Sequence, residues 1–149
     1  MKRYWKKATA LFVTLILLTS VLAISVGAVA GRSSLYLSGY RAWLTPKDDG
    51  IVNVTIDVQA VDDMDSVGAT KVEMFESTDG GVTWSRDGIY LSALYPELLD
   101  HGTYLYFDTP ISHEGTAGYK YYAIVTVYAA DNTGSDSKTY ATTIVTARN

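Results

Sequence analysis

The 149-residue chain changes its hydrophobic rhythm once, near residue 32. No charge interrupts the stretch between Lys7 and Arg32, whereas beyond it apolar and polar residues alternate. In "IVNVTIDVQA" (51–60), Val52, Val54, Ile56, Val58 and Ala60 fall on one side of an extended chain, with Asn53, Thr55, Asp57 and Gln59 on the other. That period of two is the mark of a half-buried antiparallel strand. "YKYYAIVTVYAA" (119–130) repeats it with Tyr121, Ala123, Val125 and Val127. Its opposite side carries Lys120, Tyr122, Thr126 and Tyr128, aromatic enough to predict a central strand. Further strands are predicted over 39–45, 70–77, 83–91, 103–111 and 138–147, separated by "PKDDG", "DDMDSVG", "TDGG", "SHEGTAG" and "DNTGSD". These Gly-, Asp- and Asn-rich clusters are turn chemistry. Only "SALYPELLDHG" (92–102) has room for a helical turn, and Pro96 limits it. The expectation is all-β: an antiparallel two-sheet sandwich of about seven strands, forming a single domain over residues 31–149.

The uncharged N-terminal run changes the setting. Lys2, Arg3, Lys6 and Lys7 precede it, and Ala28 and Ala30 supply the small residues that a signal peptidase accommodates. Residues 1–30 therefore read as a signal peptide cleaved after Ala30, and the protein as secreted and extracellular. An uncleaved membrane anchor would give the same outward topology. Four of the 12 basic residues leave with the signal and none of the 16 acidic ones do, so the remaining chain carries −8. That sign speaks against nucleic acid or an anionic membrane surface as partner, because phosphate binding needs clustered Lys and Arg. With no cysteine, the domain depends on its core, and a thiol nucleophile is excluded.

The most specific local pattern is "STDGGVTW" (77–84). Ser77 and Asp79 can close a turn by accepting backbone N–H groups, Gly80 and Gly81 allow positive φ, and Trp84 can fold under the bend. The spacing S-x-D-x-G-x-x-W resembles the Asp-box of sialidases and other propeller glycosidases. There the motif recurs in each blade, away from the catalytic centre. One copy on seven strands cannot build a propeller, so the expectation is a structural corner.

Two further resemblances bear on fold. "GTAGYKYYAIVTVYAADNTGSDSKTYATTIVTA" resembles the closing hairpin of fibronectin type III and related immunoglobulin-like domains, over about residues 103–147. With "YLSGY", "GATK", "STDGGVTW" and "GYKYYA", residues 34–147 are similar to a family of small uncharacterised secreted proteins of anaerobic Gram-positive bacteria. That family has no assigned activity, so the likeness implies a fold and an address only.

Candidate chemistry is sparse. "HEGTA" (113–117) begins like the zinc-protease pattern H-E-x-x-H but ends in Ala117, and His101 and His113 are the only histidines. No nucleophile elbow is present, and the carboxylates fall in loops or on polar faces, so no catalytic residues are assigned and no enzyme is expected. Asp62, Asp63 and Asp65 lie close enough for a weak calcium loop, although the spacing is not that of an EF-hand. Tyr104 and Tyr106 on one strand, and Tyr122 and Tyr128 on another, would form a tyrosine platform if their faces coincide. Trp43 is placed in the core. The functional expectation is a non-catalytic immunoglobulin-like module meeting an unknown protein or the cell surface. The alternative is a small carbohydrate-binding domain using the tyrosine platform on a cell-surface glycan.

Overall fold

Two layers of extended chain meet along their apolar sides in the computed structural model, which describes residues 34–149. The expected signal peptide and its cleavage point lie outside the described residues. Nine strands follow in order: β1 (Leu37–Pro46), β2 (Ile51–Met64), β3 (Ser66–Ser77), β4 (Ser85–Leu91), β5 (Leu99–Asp100), β6 (Thr103–Glu114), β7 (Lys120–Asp131), β8 (Gly134–Ala141) and β9 (Val145–Thr146). Seven are substantial; β5 and β9 are two-residue pieces that pair with β3 and β7. One sheet has the order β1-β2-β6 and the other β4-β3-β7-β8, and every pairing is antiparallel. β7 is central, as its two-sided apolar pattern predicts.

The core lies where the predicted faces meet. Val52, Val54, Ile56 and Val58 from β2 are fully buried, as are Val72 and Met74 from β3 and Tyr121, Ala123, Val125 and Val127 from β7. Burying a Val, Ile or Met side chain contributes about 1.5–3 kcal/mol, so these strands anchor the sandwich. A 3-10 turn, Pro96–Leu98, drops Leu98 into this core. Gly68 makes room for it: at φ +143, any Cβ there would overlap Leu98 O.

Three departures from the sequence expectation have local causes. The "DDMDSVG" stretch is not a wide turn. Met64 and Val67 are buried, which draws β2 and β3 onward until only Asp65 separates them. The strand expected over 138–147 breaks at Thr142, whose hydroxyl accepts the Ala123 N–H at 2.9 Å in place of a backbone carbonyl. Pairing then resumes with Val145 opposite Tyr121. Trp43 is not a core residue: Ala42 and Leu44 point inward, so Trp43 stands on the outer face of the three-stranded sheet.

The crossing from β6 to β7 joins the two sheets. Tyr121 opens β7 with its ring fully buried, and its hydroxyl accepts the Thr116 N–H at 2.8 Å. Gly115 lies against that ring, where a Cβ would come within 2.8 Å of Tyr121 Cζ. Burial raises the Tyr121 hydroxyl above the usual tyrosine range.

Candidate binding face

The Asp79 loop spends its polar groups on itself. Its carboxylate accepts from the Ser77 hydroxyl at 2.7 Å, Val82 N–H at 3.0 Å, Thr83 N–H at 2.9 Å and the Thr83 hydroxyl at 2.5 Å. The Thr83 hydroxyl, followed by its N–H, holds the carboxyl well below the ordinary aspartate range. Ser77 in turn accepts Gly81 N–H at 2.8 Å, and Gly80 and Gly81 take φ of +80° and +101°. Trp84 packs edge-on against Tyr122 at 4.8 Å, and Tyr122 stacks on Phe75 at 4.9 Å. Lys120 closes the loop from across the sheet by donating to Gly80 O at 2.7 Å. The motif is a corner whose aromatic underside is covered by its own rings.

The tyrosine platform does not assemble. Tyr104 and Tyr106 lie on β6 in the three-stranded sheet, whereas Tyr122 and Tyr128 lie on β7 in the other. Tyr106 is 1% exposed, and its hydroxyl donates to Glu97 O at 2.7 Å. Tyr104 is exposed, Tyr122 belongs to the Trp84 cluster, and Tyr128 is six residues further along β7. At about 3.4 Å per strand residue the last two stand some 20 Å apart. The calcium loop fares the same way. Asp62 and Asp63 are successive strand residues, which point to opposite faces, and Asp65 O is engaged by His101 Nδ1 at 2.7 Å. Among the described residues, no three His, Cys, Asp or Glu side chains gather as a metal site.

His113 does find partners, all within the protein. Nε2 donates to Asp87 Oδ2 at 2.8 Å, Nδ1 accepts the Tyr90 hydroxyl at 2.8 Å, and the ring is 4% exposed. This chain of contacts ties β6 to β4 across the open flank of the sandwich. A groove of about 440 Å³ runs here, lined by His113 itself with Tyr90, Tyr95, Ser112 and Glu114. Both ring nitrogens of His113 are hydrogen-bonded within the protein.

Sequence reasoning missed a different surface, the outer face of the three-stranded sheet. Phe107 is 60% exposed and Leu105 43%. Trp43 lies 6.1 Å from Phe107, ring to ring, at a tilt of 41°. The middle strand contributes Thr55, Asp57 and Gln59, aligned by register between Trp43, Arg41 and Gly39 on β1 and, for Asp57 and Gln59, Phe107 and Leu105 on β6. Arg41 Nε donates to Asp57 Oδ2 at 2.7 Å while its guanidinium lies 5.3 Å over the Trp43 ring. Thr55 and Thr109 share a hydrogen bond of 2.9 Å. A notch of about 190 Å³ opens beside these groups, lined by Gly39, Tyr40, Arg41, Asp57 and Gln59. The missed signal was in β1: Arg41 and Thr45 flank Trp43 at the same parity, which marks a solvent side. In "TYLYFDT" both parities are apolar, so the sequence did not say whether Tyr106 or Phe107 faces out.

The chain matches no protein-family model, no curated protein and no solved structure.

Proposed function

We propose that this chain is an exported, non-catalytic recognition module of fibronectin type III-like build, which meets its target through the outer face of the three-stranded sheet. The observation that carries the reading is Phe107, 60% exposed beside Trp43 and Leu105 on a regular sheet surface. An apolar group of this kind, rimmed by polar residues, is what interaction sites leave uncovered. The expected tyrosine platform gives way to Trp43 and Phe107, both on the three-stranded sheet.

Two features support the subclass. β4 pairs with β3 instead of joining β1, β2 and β6, which distinguishes the order from that of constant immunoglobulin domains. Tyr121, bonded back to the Thr116 amide, has the geometry of a tyrosine corner. Export rests on the basic, then uncharged, N-terminal pattern. The non-catalytic reading is supported by how the carboxylates are used: Asp79 and Asp131 accept hydrogen bonds within their own turns, and Glu73 pairs with Lys71 on its own strand.

The test is retention of the exported chain, purified from a secreting host, on bacterial surface and cell-wall fractions. Wild type should be retained on one fraction and Phe107→Ala at least about tenfold less, with superimposable melting curves. Equal retention of both chains would remove this face as the site.

A further inference from the structure

Resting on that reading, we infer that the face takes an uncharged polysaccharide, held as a single extended chain. The scale and mixture of groups argue for sugar over protein. A stable protein interface covers about 800 Å² per partner, more than three apolar side chains supply. Here Trp43 and Phe107 lean together over the middle strand to 6.1 Å, Thr55 opposite Trp43 is buried, and Arg41, Asp57 and Gln59 stand alongside the rings. Two rings with polar groups at their side suit a molecule that is itself mixed, with C–H faces to lay on rings and hydroxyls to bond at its edges.

Each group has a role of that kind. The π face of Phe107 is negative and open, and attracts the partly positive C–H bonds of a pyranose. Trp43, tilted by 41° and held by Arg41, makes the neighbouring wall, so the pair forms a shallow cradle in place of a flat plane. A cradle fits one chain and not the surface of a crystal. Sugar hydroxyls both donate and accept. Asp57 and Gln59 supply acceptors, and Arg41, using Nε on Asp57, keeps its terminal amino groups as donors. The adjoining notch is open at Gly39, where a Cβ would meet nothing within 4 Å. Its volume of about 190 Å³ is below the roughly 300–1,000 Å³ of whole small-molecule pockets. It therefore takes one unit of a chain that continues over Phe107.

Charge selects among polysaccharides. Residues 34–149 hold 16 acidic side chains against seven basic ones, so a polyanion is repelled by the domain as a whole. On the face itself Arg41 and Asp57 cancel. A neutral chain meets neither penalty.

The exported chain should be run in native gels containing hydroxyethyl cellulose, galactomannan or arabinoxylan, with polygalacturonate as the anionic probe and microcrystalline cellulose in a pull-down. Retardation by at least one soluble neutral polysaccharide is expected, about tenfold weaker for Phe107→Ala and Gln59→Ala and preserved in Phe107→Tyr. Polygalacturonate and the crystalline solid should show no binding. Silence with every neutral probe, or equal retardation of Phe107→Ala, overturns the inference. If the chain is held instead by a protease-sensitive surface fraction and Phe107→Ala releases it, the polysaccharide inference falls while the recognition face stands. Melting curves of all three variants exclude unfolding as the cause.

Discussion

The two outer sheet faces carry similar aromatic clusters in opposite circumstances. On the four-stranded sheet, Tyr122 stacks on Phe75 and meets Trp84 edge-on, and all three rings are half-buried beside a loop that Asp79 holds shut. On the three-stranded sheet, Trp43 and Phe107 meet at a tilt with nothing from the described residues placed over Phe107. The first cluster is half-buried throughout, whereas the second leaves Phe107 60% exposed. Aromatic content alone therefore does not identify a binding surface. What separates the two is how much of a ring the neighbouring groups leave open.

The sharpest way to break this comparison is a pair of truncations. Trp84→Ala should cost about 2–4 kcal/mol in chemical denaturation, since a large ring is lost from a packed cluster that cannot refill. Phe107→Ala should stay within about 0.5 kcal/mol of wild type, as exposed substitutions do, and act on binding alone. Comparable losses for both would mean that Phe107 is structural and the comparison false.

A smaller effect follows from pH. The folded pKa of Asp79 lies below its ordinary 3.8, so its contribution is present above that value and drains away as pH falls toward the folded pKa. Asp131, Asp136 and Glu73 shift in the same direction. Tyr90, Tyr106 and Tyr121 are raised by burial; their contribution holds below about pH 10 and is lost as pH climbs through their folded values. Melting temperature should thus plateau between roughly pH 5 and 9 and fall on both sides. Asp79→Asn should lower the plateau and flatten the acid limb, whereas Phe107→Ala should leave the whole profile in place. An acid limb unchanged by Asp79→Asn would show that the loop's hydrogen bonds do not stabilise the fold.

The smallest expected effect is a gain. Asn53 Oδ1 is buried without a hydrogen-bond partner on the middle strand of the binding face. Asn53→Val removes that orphaned acceptor and adds a residue suited to strands, and should stabilise by about 1 kcal/mol in denaturant titration. A loss instead would mean that the amide is engaged by solvent.

Much of this fold was legible because alternation is a local property. Val52 to Ala60 declare their inner face without reference to any other strand, and most of the hydrogen bonds that close the Ser77–Trp84 corner come from within it, Lys120 adding one from β7. The binding face was not legible for the converse reason. Phe107 faces out because a bulge in the β2–β6 pairing, between Val54 and Ile56, sets where Tyr106 and Ile111 can both turn inward. That parity depends on a strand some fifty residues earlier. Tyr104, Tyr106, Tyr122 and Tyr128 failed as a platform for the same reason: sheet membership is decided by pairing, which four tyrosines do not encode. Asp62, Asp63 and Asp65 were misjudged because Met64 between them is a core residue, and its burial straightens what their charge suggested was a loop.

Tyr121 links the crossing between layers to the interior of the sandwich. The Thr116 amide lies in a connecting segment, yet its hydrogen bond goes to a hydroxyl whose ring is anchored in the core. In deuterium exchange this loop proton should therefore outlast its neighbours and report on opening of the whole molecule. A segment usually taken as the most yielding part of such a protein becomes a gauge of its global cohesion.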